Sequence, residues 1–155
     1  MRIIKDIRAS RNQRGFSLVE VLIALIIMSV GMLGIAGLYV QSMQAGRTSL
    51  FRHHAVTLAG DVADRIRANP TAGVAYTGVG ADFSCVAAGI NCNPVEMASN
   101  DILLWSQQAN ESLPNGTVVV AFDNATVPPN YTIAVGWDEP GENLNYTIVI
   151  PVIGL

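Results

Sequence analysis

Between Phe16 and Val40 lie 25 residues, of which Glu20 is the only charged one. A helix over that stretch is about 37 Å long at about 1.5 Å per residue, enough to cross a bilayer core of ~30 Å with some tilt. The carboxylate is the anomaly. An acid inside a membrane segment costs a few kcal/mol unless it snorkels, pairs or takes up a proton. A place at headgroup level is one answer. Pairing is another: were the chain cut between Gly15 and Phe16, Phe16 would carry a free α-amino group about 6 Å along the axis from Glu20. Such an amine has a reference pKa of about 8 and attracts a carboxylate strongly where the dielectric is low. Glu20 points sideways from its own helix, so the amine of one helix reaches the acid of a staggered neighbour more readily than its own.

The residues ahead of the run set its orientation. Arg2, Lys5, Arg8, Arg11 and Arg14 stand against Asp6, and only Arg47 and Arg52 follow closely on the other side. The positive-inside rule therefore keeps residues 1–15 in the cytoplasm and sends the rest across. Gly34-Ile35-Ala36 could pass for a secretory cleavage site, but the preceding run exceeds the usual h-region and contains Glu20.

Gly15-Phe16-Ser17-Leu18-Val19-Glu20, followed by an apolar helix, resembles the class III signal of type IV prepilins and pseudopilins. That resemblance implies a prepilin peptidase that cuts after Gly15 and methylates the new amine of Phe16. It also implies that Glu20 guides docking of the subunit into a growing filament, beside other major and minor pilins.

The apolar run is expected to continue as one helix from about Phe16 to Ala68, because no proline occurs between Val40 and Asn69. Phe51, Ala55, Leu58, Val62 and Ile66 recur at helical spacing and mark a face to be buried. Asp61 with Arg65 and Asp64 with Arg67 have the spacing of intrahelical ion pairs, and Asn69-Pro70 supplies the stop. Gly31, Gly34, Gly37 and Gly46 cost helix propensity in water but let helices approach closely in a membrane or bundle. The segment from Leu58 to Pro70 is similar to that of PilV-type minor pilins, a likeness that covers the helix more closely than the C-terminal half.

Residues 71–94 lack periodicity and read as an irregular loop holding Cys85 and Cys92. In a segment exported to an oxidising compartment two cysteines favour a disulfide; metal binding would need two more ligands, and none is spaced for it. A second helix is expected from about Asn100 to Ser112, with Ser99 as N-cap, Asp101 in the first turn, and Ile102, Trp105, Ala109 and then Leu113 inward. Three β-branched runs follow at 117–122, 131–137 and 146–150, separated by loops at 123–130 and 138–145. Short links between strands make an antiparallel meander, and its apolar face can bury the helical stripe. The expected fold class is α+β: a long N-terminal helix, membrane-spanning in its first half, packed on a small antiparallel sheet. The domains are then a cleaved leader at 1–15, a membrane or filament-core segment at 16–40, and a head at 41–155.

Chemistry is scarce. His53 and His54 are adjacent and diverge by about 100° on a helix, so they do not converge on a metal. Asp138, Glu139 and Glu142 read as solvated acids in a turn, too sparse for a calcium loop, and no G-x-S-x-G elbow is present. The Asn-x-Thr sequons at Asn115, Asn124, Asn130 and Asn145 coincide with strand edges. Beyond residue 15 the chain holds four basic and eleven acidic side chains, which argues against a nucleic-acid partner. No enzymatic activity and no cofactor are expected. The resemblance implies a minor pilin whose work in pilus assembly influences adhesion or twitching motility. Its helix would sit in the inner membrane with the head in the periplasm, later on the cell surface. A type II secretion pseudopilin is the near alternative, and a membrane-tethered enzyme or binding module the distant one.

Overall fold

A computed structural model describes residues 15–87 and 90–152; the basic leader up to residue 14 lies outside the described residues. Two compact units result, one ending at Met43 and the other comprising Gln44–Leu155. Helix α1 (Leu18–Ala68) contributes to both.

In the first unit every residue of α1 is exposed, as expected of a helix whose apolar surface matches lipid or other helices rather than its own chain. The helix is long and apolar enough to cross a membrane. Within it the Ser29 hydroxyl donates to the Ile26 carbonyl at 2.8 Å, a local satisfaction available to a hydroxyl on a helix.

The second unit is built from the C-terminal part of α1, a second helix and a sheet. Ala55, Leu58, Ala59, Val62, Ala63 and Ile66 of α1 are buried, so the stripe expected from spacing is the face that packs, widened by Ala59 and Ala63. Opposite lie Tyr131, Ile133, Val135 and Trp137, alternate residues of the central strand β2, in the same core. The strands β1 (Thr117–Asp123), β2 (Asn130–Glu139) and β3 (Glu142–Pro151) form an antiparallel sheet in the order β1-β2-β3. Their register puts Thr117, Gly136 and Asn145 in one row and Val120, Ile133 and Ile148 in another. A long helix on a small three-stranded antiparallel sheet is the architecture expected above.

Three local expectations need correction. Helix α2 runs from Pro94 to Ser112, six residues longer at its start than read from sequence. Its N-cap is Asn93, not Ser99: the Asn93 side chain accepts from Val95 and Glu96 N–H, while the Glu96 carboxylate accepts from Asn93 N–H at 2.9 Å. This is a reciprocal capping box with proline at the first helical position. Asp101 therefore sits mid-helix, buried, and not in the first turn. The segment read as irregular from residue 71 begins with a 3-10 helix, Pro70–Thr77, broken at Gly73 where φ is +52°. The loop expected at 138–145 is only Pro140-Gly141, with Gly141 at φ +91°. Proline followed by a glycine of positive φ is the pairing a type II turn requires, and it extends both strands.

Gly116 shows how closely the sheet follows α2. A Cβ there would lie 2.1 Å from the Ala109 carbonyl oxygen, so no larger residue fits between the end of α2 and the start of β1.

Candidate processing and docking site

Gly15, Phe16 and Ser17 are non-helical and exposed, and α1 begins at Leu18. The Ser17 carbonyl accepts from Glu20 and Val21 N–H at 3.1 and 3.3 Å, so Ser17 occupies the N-cap position of the helix. The Gly15–Phe16 peptide bond thus sits in exposed non-helical backbone just ahead of the first turn, the kind of segment a peptidase can engage. Glu20 lies in the first turn, where a carboxylate is favoured by the unpaired N–H groups of the helix end. It is exposed, as is the Phe16 ring. From Leu18 to Met43 the apolar side chains are exposed among the described residues, and a Cβ at Gly31, Gly34 or Gly37 would meet nothing within 4 Å. The glycines are therefore not needed for packing within the described residues, and they leave room for close approach of another helix.

The second unit carries the polar groups that hold its own elements. Arg65 Nη1 donates to Asp101 Oδ1 at 2.7 Å, and its Nε lies 3.3 Å from Asp61. Tyr76 OH reaches the other Asp101 oxygen at 3.3 Å and receives Asn69 Nδ2 at 3.2 Å. Asp101 is 3% exposed, so this charge is tolerated only because α1 and the 3-10 segment both supply donors. Burial opposes the charge on Arg65, but the Asp101 and Asp61 carboxylates outweigh it and hold the guanidinium pKa above its ordinary value. Burial pushes the Tyr76 phenol up to about 12, and the Asp101 charge adds to the rise. Tyr76 also stacks on Trp105 with centroids 5.7 Å apart, which places Trp105 in the core.

At the β2–β3 hairpin, Glu139 is held by Thr48 Oγ1 at 2.5 Å and by Trp137 Nε1 at 3.1 Å. These two hydrogen bonds, the threonine's the larger, pull its pKa below the usual carboxylate range. Sequence spacing gave no hint of either cluster. Arg65 and Asp101 are 36 residues apart, and Thr48 and Glu139 are 91 apart. The ion pairs that spacing did indicate, Asp61–Arg65 and Asp64–Arg67, are present at 3.3 and 3.0 Å.

Cys85 and Cys92 are joined by a disulfide, seven positions apart in the chain. Cys85 N–H also faces the Asn100 side-chain oxygen at 3.4 Å, which ties this loop to α2. Among the described residues no three histidine, cysteine or carboxylate side chains gather as a metal site would require. His53 and His54 have ring centroids 6.3 Å apart and tilted planes.

Comparison with known families accords with this arrangement. Residues 10–36 match the model of the prokaryotic N-terminal methylation motif, and residues 37–103 match the model described as type IV pilin Tt1218. No curated protein and no solved structure matches the chain.

Proposed function

Since the chain is a type IV pilin-like protein, we propose that it is a minor pilin of the PilV type, a non-enzymatic subunit that takes part in pilus assembly and so in adhesion or motility. Pilins as a family are structural, and a methylation motif implies processing by a prepilin peptidase and assembly into pili.

In this reading the peptidase cleaves between Gly15 and Phe16 on the cytoplasmic face and methylates the Phe16 amine. The α1 segment holds the subunit in the inner membrane, with the head in the periplasm, until the filament takes it up. Glu20 then serves as the docking group. Its carboxylate meets the amine at Phe16 of an adjoining helix, and the two charges neutralise one another as both leave the lipid. The Cys85–Cys92 bond stabilises the head in the oxidising compartment. The observation that carries the reading is the exposed apolar stretch of α1 from Leu18 to Met43 with one carboxylate in its first turn.

Glu20→Ala tests it. The variant should be cleaved normally and yet be depleted from sheared pili, measured by immunoblot of pilus and membrane fractions. Normal incorporation would refute the docking role of Glu20. Absence of the unaltered protein from pili, with presence in a secretion-system filament, would assign it as a pseudopilin instead.

A further inference from the structure

The outer edge of β3 is open. Glu139 and Glu142 face each other across the two-residue turn, so they form the first hydrogen-bonded pair, and pairs alternate from there. Leu144, Tyr146, Ile148 and Ile150 therefore turn their backbone groups to β2, and the Val152 N–H continues the series by donating to the Pro129 carbonyl at 2.8 Å. Asn143, Asn145, Thr147 and Val149 turn theirs away from the sheet. All four are exposed, and among the described residues no backbone group outside the sheet bonds to them.

Edge strands are usually blunted by lysine, a bulge or an early proline. Here the register with β2 is unbroken from Glu142 to Pro151. No Lys or Arg occurs after Arg67, and Pro151 stands at the far end. At the opposite edge, Val118 and Val120 of β1 line a cavity together with Tyr76, Thr77 and Trp105.

On the α1 side of the β3 edge a cavity of about 410 Å³ is lined by Arg52, Val56, Trp137, Leu144 and Tyr146. Val56 is 45% exposed, an apolar side chain on the helix wall. Arg52 is exposed and makes no ion pair within 4 Å among the described residues, although its charge reaches Glu139 at the hairpin and helps lower that carboxylate's pKa. A strand added beside β3 would drop alternate side chains between Leu144 or Tyr146 and Val56, under that guanidinium.

We propose that the channel between the β3 edge and α1 docks an extended segment of another polypeptide. The segment is uncharged where it pairs with Asn143, Asn145, Thr147 and Val149, presents an apolar side chain to Val56, and carries a carboxylate that meets Arg52. Backbone hydrogen bonds supply the attachment, and the cavity with its single cation supplies selectivity.

The test uses the full chain in detergent micelles and a fluorescein-labelled peptide, Thr-Val-Thr-Val-Thr-Val-Thr-Asp, read by anisotropy. A second peptide has Asn-amide in place of the acidic end. The acidic peptide should bind at least tenfold tighter, and Arg52→Ala should erase that difference while leaving the amide peptide unchanged. Asn145→Pro and Thr147→Pro remove outward N–H groups and none that bonds to β2, and should each weaken both peptides tenfold or more. As a check that does not alter the protein, N-methylation of one alternate set of peptide amides should abolish binding while the other set is tolerated. Equal sensitivity to both sets would overturn strand pairing. A loss on Arg52→Ala shared by both peptides would overturn the carboxylate assignment, and no saturable binding would overturn the proposal as a whole.

Discussion

Removing the Asp101 carboxylate should loosen the second unit more than any exposed substitution. Asp101 is nearly sealed from water and accepts from Arg65 at 2.7 Å and from Tyr76 at 3.3 Å. A hydrogen bond to a charged group contributes about 1.5–3 kcal/mol, and an unpartnered buried donor costs about 1–3 kcal/mol. Breaking a wholly buried ion pair costs about 3–5 kcal/mol. The Arg65 side chain is 42% exposed, so water recovers part of its charge and the expectation falls to the low end of that range. Asp101→Ala should therefore cost about 3 kcal/mol, and Asp101→Asn, which keeps the shape, about 2 kcal/mol. Urea unfolding of the full chain in detergent reads this directly. Its only two tryptophans, Trp105 and Trp137, are both buried in the Gln44–Leu155 unit, so their fluorescence follows that unit alone. A double-mutant cycle with Arg65→Ala should return a coupling of about 1–3 kcal/mol. A cost for Asp101→Ala below about 1 kcal/mol, or additive single effects, would show that the clamp is incidental.

Three further outcomes are expected. Tyr76 is raised from an ordinary phenol value to about 12, so its contribution is complete below pH ~10 and is lost as pH climbs through about 12. Urea midpoints should fall across that window in the native chain and stay flatter in Tyr76→Phe. Replacing both Cys85 and Cys92 by serine should destabilise the unit by about 2–3 kcal/mol on the chain-entropy account of so short a loop, seen as a shifted urea midpoint; no shift would mean the loop is held by its hydrogen bonds to α2. Thr48→Val should return the Glu139 pKa upward toward the ordinary carboxylate range, checked by NMR titration of its side chain. An unchanged value would show that Thr48 does not hold it down.

What could be read from residues alone was local and periodic. The helical stripe from Ala55 to Ile66 is buried, and β2 alternates as its β-branched residues suggest. Both follow from a single repeat length matched to one buried face. The start of α2 was misplaced although its signal, Asn93-Pro94-Val95-Glu96, is explicit. The apolar periodicity of α2 begins only after the first turn, because a first turn is specified by capping, not by burial. The β2–β3 loop was overestimated because Asp138, Glu139, Glu142, Asn143 and Asn145 look like loop residues. At an exposed sheet end and edge such residues can occupy strands without cost to the core. The Arg65–Asp101–Tyr76 cluster joins α1 and the 3-10 segment to Asp101 of α2, 36 and 25 residues further on, so no spacing rule could reveal it. The stretch matching the N-terminal methylation motif, residues 10–36, is of the opposite kind. Gly15, Phe16 and Glu20 lie within six residues of one another, so the role proposed for them rests on local sequence and not on long-range folding.

Mass spectrometry of the N-terminal peptide of the protein purified from membranes tests the central claim most directly. The account predicts a mature chain that begins at Phe16 and carries one additional methyl group on its α-amine. A chain that retains Arg14 and Gly15, or one that begins beyond Val40, would contradict it.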